Sequence, residues 1–174
     1  VEWTGISASD YMVRTREAVD IIRALLRGEV VAYQGEAFHW TEQCYLRFKP
    51  YRPAVPIYVC AFGSEYLAMS GAIGDGSLPM ITPPESAAYM VKEITAGARA
   101  AGRDPAAVDI AGCGWLSLAE NRGAATDVLR KMISYFGPYL EAPALATIGL
   151  VPEDFHVISE LVEEGRYDEA AAMV

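Results

Sequence analysis

Cys60-Ala61-Phe62-Gly63-Ser64 sets an apolar run, a glycine and a hydroxyl residue side by side, where a strand pattern gives way to a helical one. In parallel α/β folds, ligands gather outside the C-terminal ends of strands. Gly63 lets the backbone come close to a ligand there. Ser64 can cap the helix that follows, and the first free N–H groups of that helix form a seat for an anion such as a phosphate. The same Gly-Ser pair also serves capping alone in loops that bind nothing. Met80-Ile81-Thr82 ends the next strand pattern and is placed in the same way. Thr82-Pro83-Pro84-Glu85 reads as a capping box with proline at the first helical position, so Thr82 is a cap first and a ligand neighbour second. Gly74-Asp75-Gly76 precedes a strand, and reads as a tight turn that serves stability.

Other chemistry is absent from the residue pattern. Gly71, Gly74 and Gly76 do not reproduce GxGxxG, and they come before a strand rather than after one. GxxxxGK[ST], HExxH, GxSxG and paired CxxC motifs are missing, and no metal-ligand spacing is present. His39 in a hairpin and His156 in a late helix read as packed or exposed residues. Trp3, Trp40 and Trp115 read as packing residues, and Glu153, Asp154, Glu160, Glu163 and Glu164 as a solvated face. No acid, base, nucleophile or metal ligand can be named from these residues alone.

Composition narrows the class further. The chain has 174 residues, 52% of them apolar, which is enough for one domain with a sizeable core. A net charge of −9 argues against binding nucleic acid, because nothing supplies the counterion-release term. Charge-free stretches fall short of the roughly 18–20 residues that cross a bilayer. Cys44, Cys60 and Cys113 read as reduced thiols of a cytoplasmic protein.

The elements that must position the candidate site follow from periodicity. Asp10 to Arg27 carries apolar residues at helical spacing, with Gly28 where a left-handed C-terminal residue belongs. Val30–Tyr33 and Ala37–Trp40 read as a hairpin around Gln34-Gly35-Glu36. Prolines 50, 53 and 56 mark an extended connector. Ile57 to Phe62 has no alternation, the pattern of a strand buried on both faces. A short helix through Leu67 and Met69 follows, then a strand from Ser77 to Ile81 and a helix from Thr82 to Gly102. A third apolar run, Val108 to Leu118, precedes a helix ending near Phe136. Pro79 within the second strand requires its missing N–H to face a place without a partner. Further helices are broken near Gly149, Pro152 and Gly165. This strand–helix alternation is that of an α/β protein with a parallel sheet, either a small α/β domain or part of a barrel.

The motifs themselves resemble a known family. Pro56-Ile57-Tyr58-Val59-Cys60-Ala61-Phe62-Gly63-Ser64, then Leu67-Ala68, Gly71 and Ile73-Gly74-Asp75-Gly76, resemble a P-I-Y-V-A-A-x-G-P strand and an A-G-x-I-A-D-G-V helix end of the luciferase-like monooxygenase superfamily. Arg16 to Glu29, the hairpin Val30 to Phe38, and Ala101-Gly102-Arg103-Asp104-Pro105 are similar to its other segments, in the same order. Ser64 stands where that pattern has proline, and Phe62 where it has glycine or a small polar residue.

The resemblance implies the C-terminal half of a (β/α)₈ TIM barrel with parallel strands, plus a small β-hairpin insertion. On that reading residues 1–174 are one partial barrel domain. Both ends look cut, and the first half of the barrel, with the catalytic residues, is expected before Val1. The resemblance is greatest to the coenzyme F420 (deazaflavin) branch, the methylenetetrahydromethanopterin reductase type. It implies an oxidoreductase that transfers a hydride to or from a small-molecule substrate. Cys60, Ala61, Phe62, Gly63 and Ser64 would hold the cofactor's phosphate-bearing tail through backbone amides, beside Met80, Ile81 and Thr82. It also implies a homo-oligomer as the complete protein. An FMN-dependent monooxygenase using molecular oxygen is the alternative, and a non-catalytic α/β binding or assembly subunit the second.

Overall fold

The structure is a computed structural model that describes residues 10–81 and 83–174. Helix α1, Tyr11–Leu26, turns the buried Val19 and Ile21 inward and ends before Gly28, whose φ is 82°. Strands β1, Val31–Gln34, and β2, His39–Cys44, pair antiparallel. The hairpin differs from the sequence expectation, because Gln34 pairs with His39 and the connection runs from Gly35 to Phe38. Glu17 of α1 is the cause. Its buried carboxylate accepts the amides of Glu36 at 2.6 Å, Ala37 at 3.1 Å and Phe38 at 2.8 Å, so these residues cannot join a strand ladder.

The parallel sheet holds β3, Tyr58–Ala61, β4, Gly76–Pro79, and β5, Asp109–Ile110, in the order β3-β4-β5. Helix α2, Ser64–Ile73, links β3 to β4, and helix α3, Ala87–Ala100, links β4 to β5. A 3₁₀ turn at Pro84–Ser86 leads into α3. Thr82, half of the expected capping box, lies outside the described residues. One core joins Ala61, Leu67, Met90, Ile94, Ala98 and Val108, and a second joins Val59, Val19 and Met69.

Two expectations for the sheet are corrected. The run 57–62 is not buried on both faces: Val59 and Ala61 are buried, whereas Tyr58 and Cys60 are exposed. Among the described residues the helices cover one face of the sheet, and Tyr58 and Cys60 look out from the other. The third run forms a regular ladder only at Asp109–Ile110, although the amides of Ala111 and Cys113 still donate to the carbonyls of Ser77 and Pro79. A residue in a parallel ladder directs its N–H and C=O to the same neighbour. Pro79 offers its carbonyl to the β5 side, so its missing N–H falls there too, and regular pairing stops one step earlier.

Gly74-Asp75-Gly76 is the structural turn its position implies. The Asp75 carboxylate accepts the Ile57 amide at 2.9 Å and pairs with Arg23 at 3.0 Å, tying α1 to the start of β3. Beyond the sheet, α4, Arg122–Phe136, α5, Ala142–Ala146, α6, His156–Glu163, and α7, Tyr167–Ala172, complete the chain. Leu145, Phe155, Ile158 and Ala170 form their core. Among the described residues no helix is long and apolar enough to cross a membrane.

Candidate functional site

Gly63 sits at the turn from β3 into α2 with φ 89° and ψ 162°, a conformation that L side chains strongly disfavour. A Cβ there would stand 2.4 Å from Oε1 of Glu141. The amide of Ser64 donates to Oε2 of that same Glu141 at 2.7 Å. The first turn of α2 therefore carries an anion, as its free amides and dipole favour. Ser64 does not cap α2 with its hydroxyl. It is the first residue of the helix, and Gly63, at the cap position, has no side chain to offer.

Packing holds this arrangement in place. Gly71 of α2 and Gly97 of α3 bring the two helices together, since a Cβ on Gly71 would stand 2.0 Å from the Ile94 carbonyl oxygen. At the start of α3 the buried Ser86 hydroxyl meets Thr147 Oγ1 at 2.6 Å and the Ala144 carbonyl at 3.3 Å, fixing α5 beside the loop. Glu141 immediately precedes α5, and its carbonyl accepts the Ala144 and Leu145 amides.

Ala61, Phe62, Gly63 and Met80 line one small space of about 20 Å³, together with Tyr89 and Glu141. Four residues proposed for one ligand thus share one wall, and Ser64 adjoins it through its amide. Among the described residues the buried Tyr89 hydroxyl has no hydrogen-bond partner of ordinary length. Burial first, then the Glu141 and Glu93 carboxylates, raise its pKa above the ordinary phenol value, against the opposing influence of the nearby Ser64 side chain. Cys60 and Ile81 are placed elsewhere. Cys60 lies on the exposed sheet face, where partial burial and then Cys113 raise its thiol pKa. Ile81 has φ 52°, a left-handed conformation costly for a β-branched residue, and lines a different cavity. Thr82 lies outside the described residues.

That second cavity measures about 750 Å³, within the range of small-molecule sites. Ile81, Trp115, Leu129, Ile133 and Phe155 give it apolar walls, and Leu140 lines both spaces. Trp115 also packs on Phe136, with ring centroids 5.2 Å apart. Sequence reasoning missed Glu141, Tyr89 and this cavity. Glu141 lies 77 residues from Ser64, and the only local signal is its place before the Ala142-Pro143 helix start.

The donors fit a phosphate-bearing group in kind. A backbone cradle that a Cβ would fill, a carboxylate standing where an anion would sit, and an orphaned buried hydroxyl converge on one point. They fit it in size only once the Glu141 side chain has moved.

A parallel sheet with helices linking its strands is the architecture of part of a (β/α)₈ barrel, and the chain belongs to the luciferase-like monooxygenase family, whose pattern matches residues 1–173. It is 30% identical over 159 residues to the 5,10-methylenetetrahydromethanopterin reductase of Archaeoglobus fulgidus, covering 91% of this chain and 47% of that protein. The F420-dependent glucose-6-phosphate dehydrogenase of Gordonia bronchialis is 37% identical over 112 residues, covering 62% of this chain and 31% of that protein. In fold the chain matches the coenzyme F420 dependent tetrahydromethanopterin reductase of Methanopyrus kandleri with a TM-score of 0.79 at 23% identity, over 94% of this chain and 47% of that one. The expected α/β half-barrel fold is therefore correct. The chain spans about half the length of the reductases it matches.

Proposed function

We propose that the complete protein is an oxidoreductase that moves a hydride between coenzyme F420 and a small organic substrate, in the manner of a methylenetetrahydromethanopterin reductase. The anion seat at Gly63 and Ser64 carries this reading, because it is where a strand end and a helix N-terminus together offer a backbone donor to a phosphate. Similarity to two F420-dependent dehydrogenases, over 53% and 62% of the chain, supports the choice of cofactor. When bound, the deazaflavin supplies the hydride chemistry. This chain's own residues bind and orient: the Ser64 amide holds the tail, Gly63 admits it, and Ala61, Phe62 and Met80 wall it. The apolar cavity behind Leu140 excludes water from whatever part of a ligand enters it. The complete protein acts with a small-molecule substrate, as a cytoplasmic homo-oligomer.

Titration of the complete protein with coenzyme F420 and with FMN, followed by absorbance, tests the proposal. Saturable binding of F420 in preference to FMN is expected. Preference for FMN, with oxygen uptake by the reduced complex, would overturn it in favour of a monooxygenase.

A further inference from the structure

The amide at the start of α2 is already engaged by an anion, and that anion is part of the chain. The Glu141 carboxylate places Oε2 2.7 Å from the Ser64 nitrogen, and its Oε1 fills the space a Cβ on Gly63 would need. A phosphate oxygen seated here would accept the same bond in the same place. Only about 20 Å³ is left free, room for about one water but not for a phosphate. Carboxylate and phosphate cannot share the seat, on grounds of both space and like charge.

Glu141 is not locked there by its own backbone. The bonds that anchor its residue are made by its carbonyl to Ala144 and Leu145, so the carboxylate can swing out while α5 stays in place. The residue is half-buried, and a glutamate reaches other positions by rotating its side chain alone. The Tyr89 hydroxyl lines the same space, and among the described residues it makes no hydrogen bond of ordinary length while Glu141 occupies the seat.

We propose that Glu141 is an exchangeable internal anion: it holds the seat while the cofactor's tail is absent and leaves when the tail binds, after which Ser64 and Tyr89 both donate to the incoming group. This rests on the assignment of the cofactor's tail to the Gly63–Ser64 loop. Its consequence is a built-in competition. If the seat is filled by Glu141 in about nine of ten ligand-free molecules, apparent affinity is about tenfold weaker than intrinsic affinity.

The test uses the complete protein and coenzyme F420 as ligand, with inorganic phosphate as competitor. Wild type, Glu141→Ala, Glu141→Gln and Gly63→Val are titrated, the last placing a branched side chain where the tail must approach the backbone. Glu141→Ala should bind F420 about tenfold more tightly, and phosphate should compete better than in wild type. Its ligand-free thermal midpoint should fall and be restored by ligand. If Glu141→Ala does not fold, Glu141→Gln carries the test, with a severalfold tightening expected. Unchanged or weaker binding by the glutamate variants, with wild type binding and Gly63→Val impaired, shows a permanent cap and overturns this proposal alone. Failure of wild type to bind F420, or undiminished binding by Gly63→Val, overturns the cofactor assignment and this proposal with it.

Discussion

Gly97 faces Ala68 so closely that a Cβ on Gly97 would stand 1.9 Å from the Ala68 carbonyl oxygen. That contact sets the separation of α3 from α2, and α2 begins at the anion seat. Backbone oxygen cannot yield as a flexible side chain would, so the helices themselves must move. Gly97→Ala should destabilise the complete protein by about 1–3 kcal/mol, the usual cost of overpacking. Gly112→Ala, where a Cβ meets open space, should change stability by no more than about 0.5 kcal/mol. Urea unfolding of both variants checks this, and equal midpoints would disprove close packing at Gly97.

Gly63→Val combines a positive φ with a clash against Glu141. The variant should lose F420 affinity by at least about tenfold, a cost of roughly 1.4 kcal/mol or more. Ser64→Ala should behave differently. Removal of a true N-cap costs about 1 kcal/mol, but the Ser64 hydroxyl makes no capping bond. Stability within about 0.5 kcal/mol of wild type is therefore expected. Equal F420 binding by Gly63→Val would show that the ligand does not approach this backbone.

Acid should release two fastenings around α1. Burial acts to raise the Glu17 pKa, but the Phe38, Glu36 and Ala37 amides and the His39 charge outweigh it, leaving the carboxyl below its ordinary 4.5. Burial likewise opposes the Ile57 amide and the Arg23 and Arg103 charges at Asp75, which ends below its ordinary 3.8. A depressed folded-state value means that stability is present above the unfolded value and is lost as pH falls through the folded one. Stability should decline as pH drops below about 4.5. Glu17→Gln should flatten that decline; a wild-type acid slope in the variant would exclude Glu17 as a contributor.

On the open sheet face the Tyr58 hydroxyl donates to the Asp109 carboxylate, and its ring crosses Gly76, where a Cβ would stand 2.3 Å from Tyr58 Cε1. The hydrogen bond to Asp109, then burial and the Asp109 and Asp75 charges, raise the Tyr58 pKa above 10.0. Asp109→Asn should lower it toward the ordinary value. Alkaline titration of tyrosine resonances in wild type and variant reads the shift, and an unmoved Tyr58 would mean that the pair does not form.

Much of the fold was legible because its signals are local. Helix α1 and its glycine stop, the strand–helix alternation and the Asp75 turn follow from periodicity and from residues that punctuate the chain within a few positions. The family motifs share that property, since each is a short segment. The length of the hairpin connection was not legible, because Glu17, 19 to 21 residues away, takes the amides that a shorter loop would have left to the strand.

The candidate loop shows the same division. By itself the sequence determined that a glycine and a free helix amide stand at the end of β3, since both depend only on neighbouring residues. Tertiary structure alone decided that Glu141 fills that seat, that Tyr89 lines the space beside it, and that Cys60 and Ile81 turn elsewhere. Burial alternates along β3 because helices cover one face of the sheet, which no pattern within four residues can record. A carboxylate finds an amide 77 residues away only when packing of α2, α3 and α5 brings them together. Short-range spacing fixes backbone geometry, whereas the occupant of a site is chosen by contacts between segments distant in the chain.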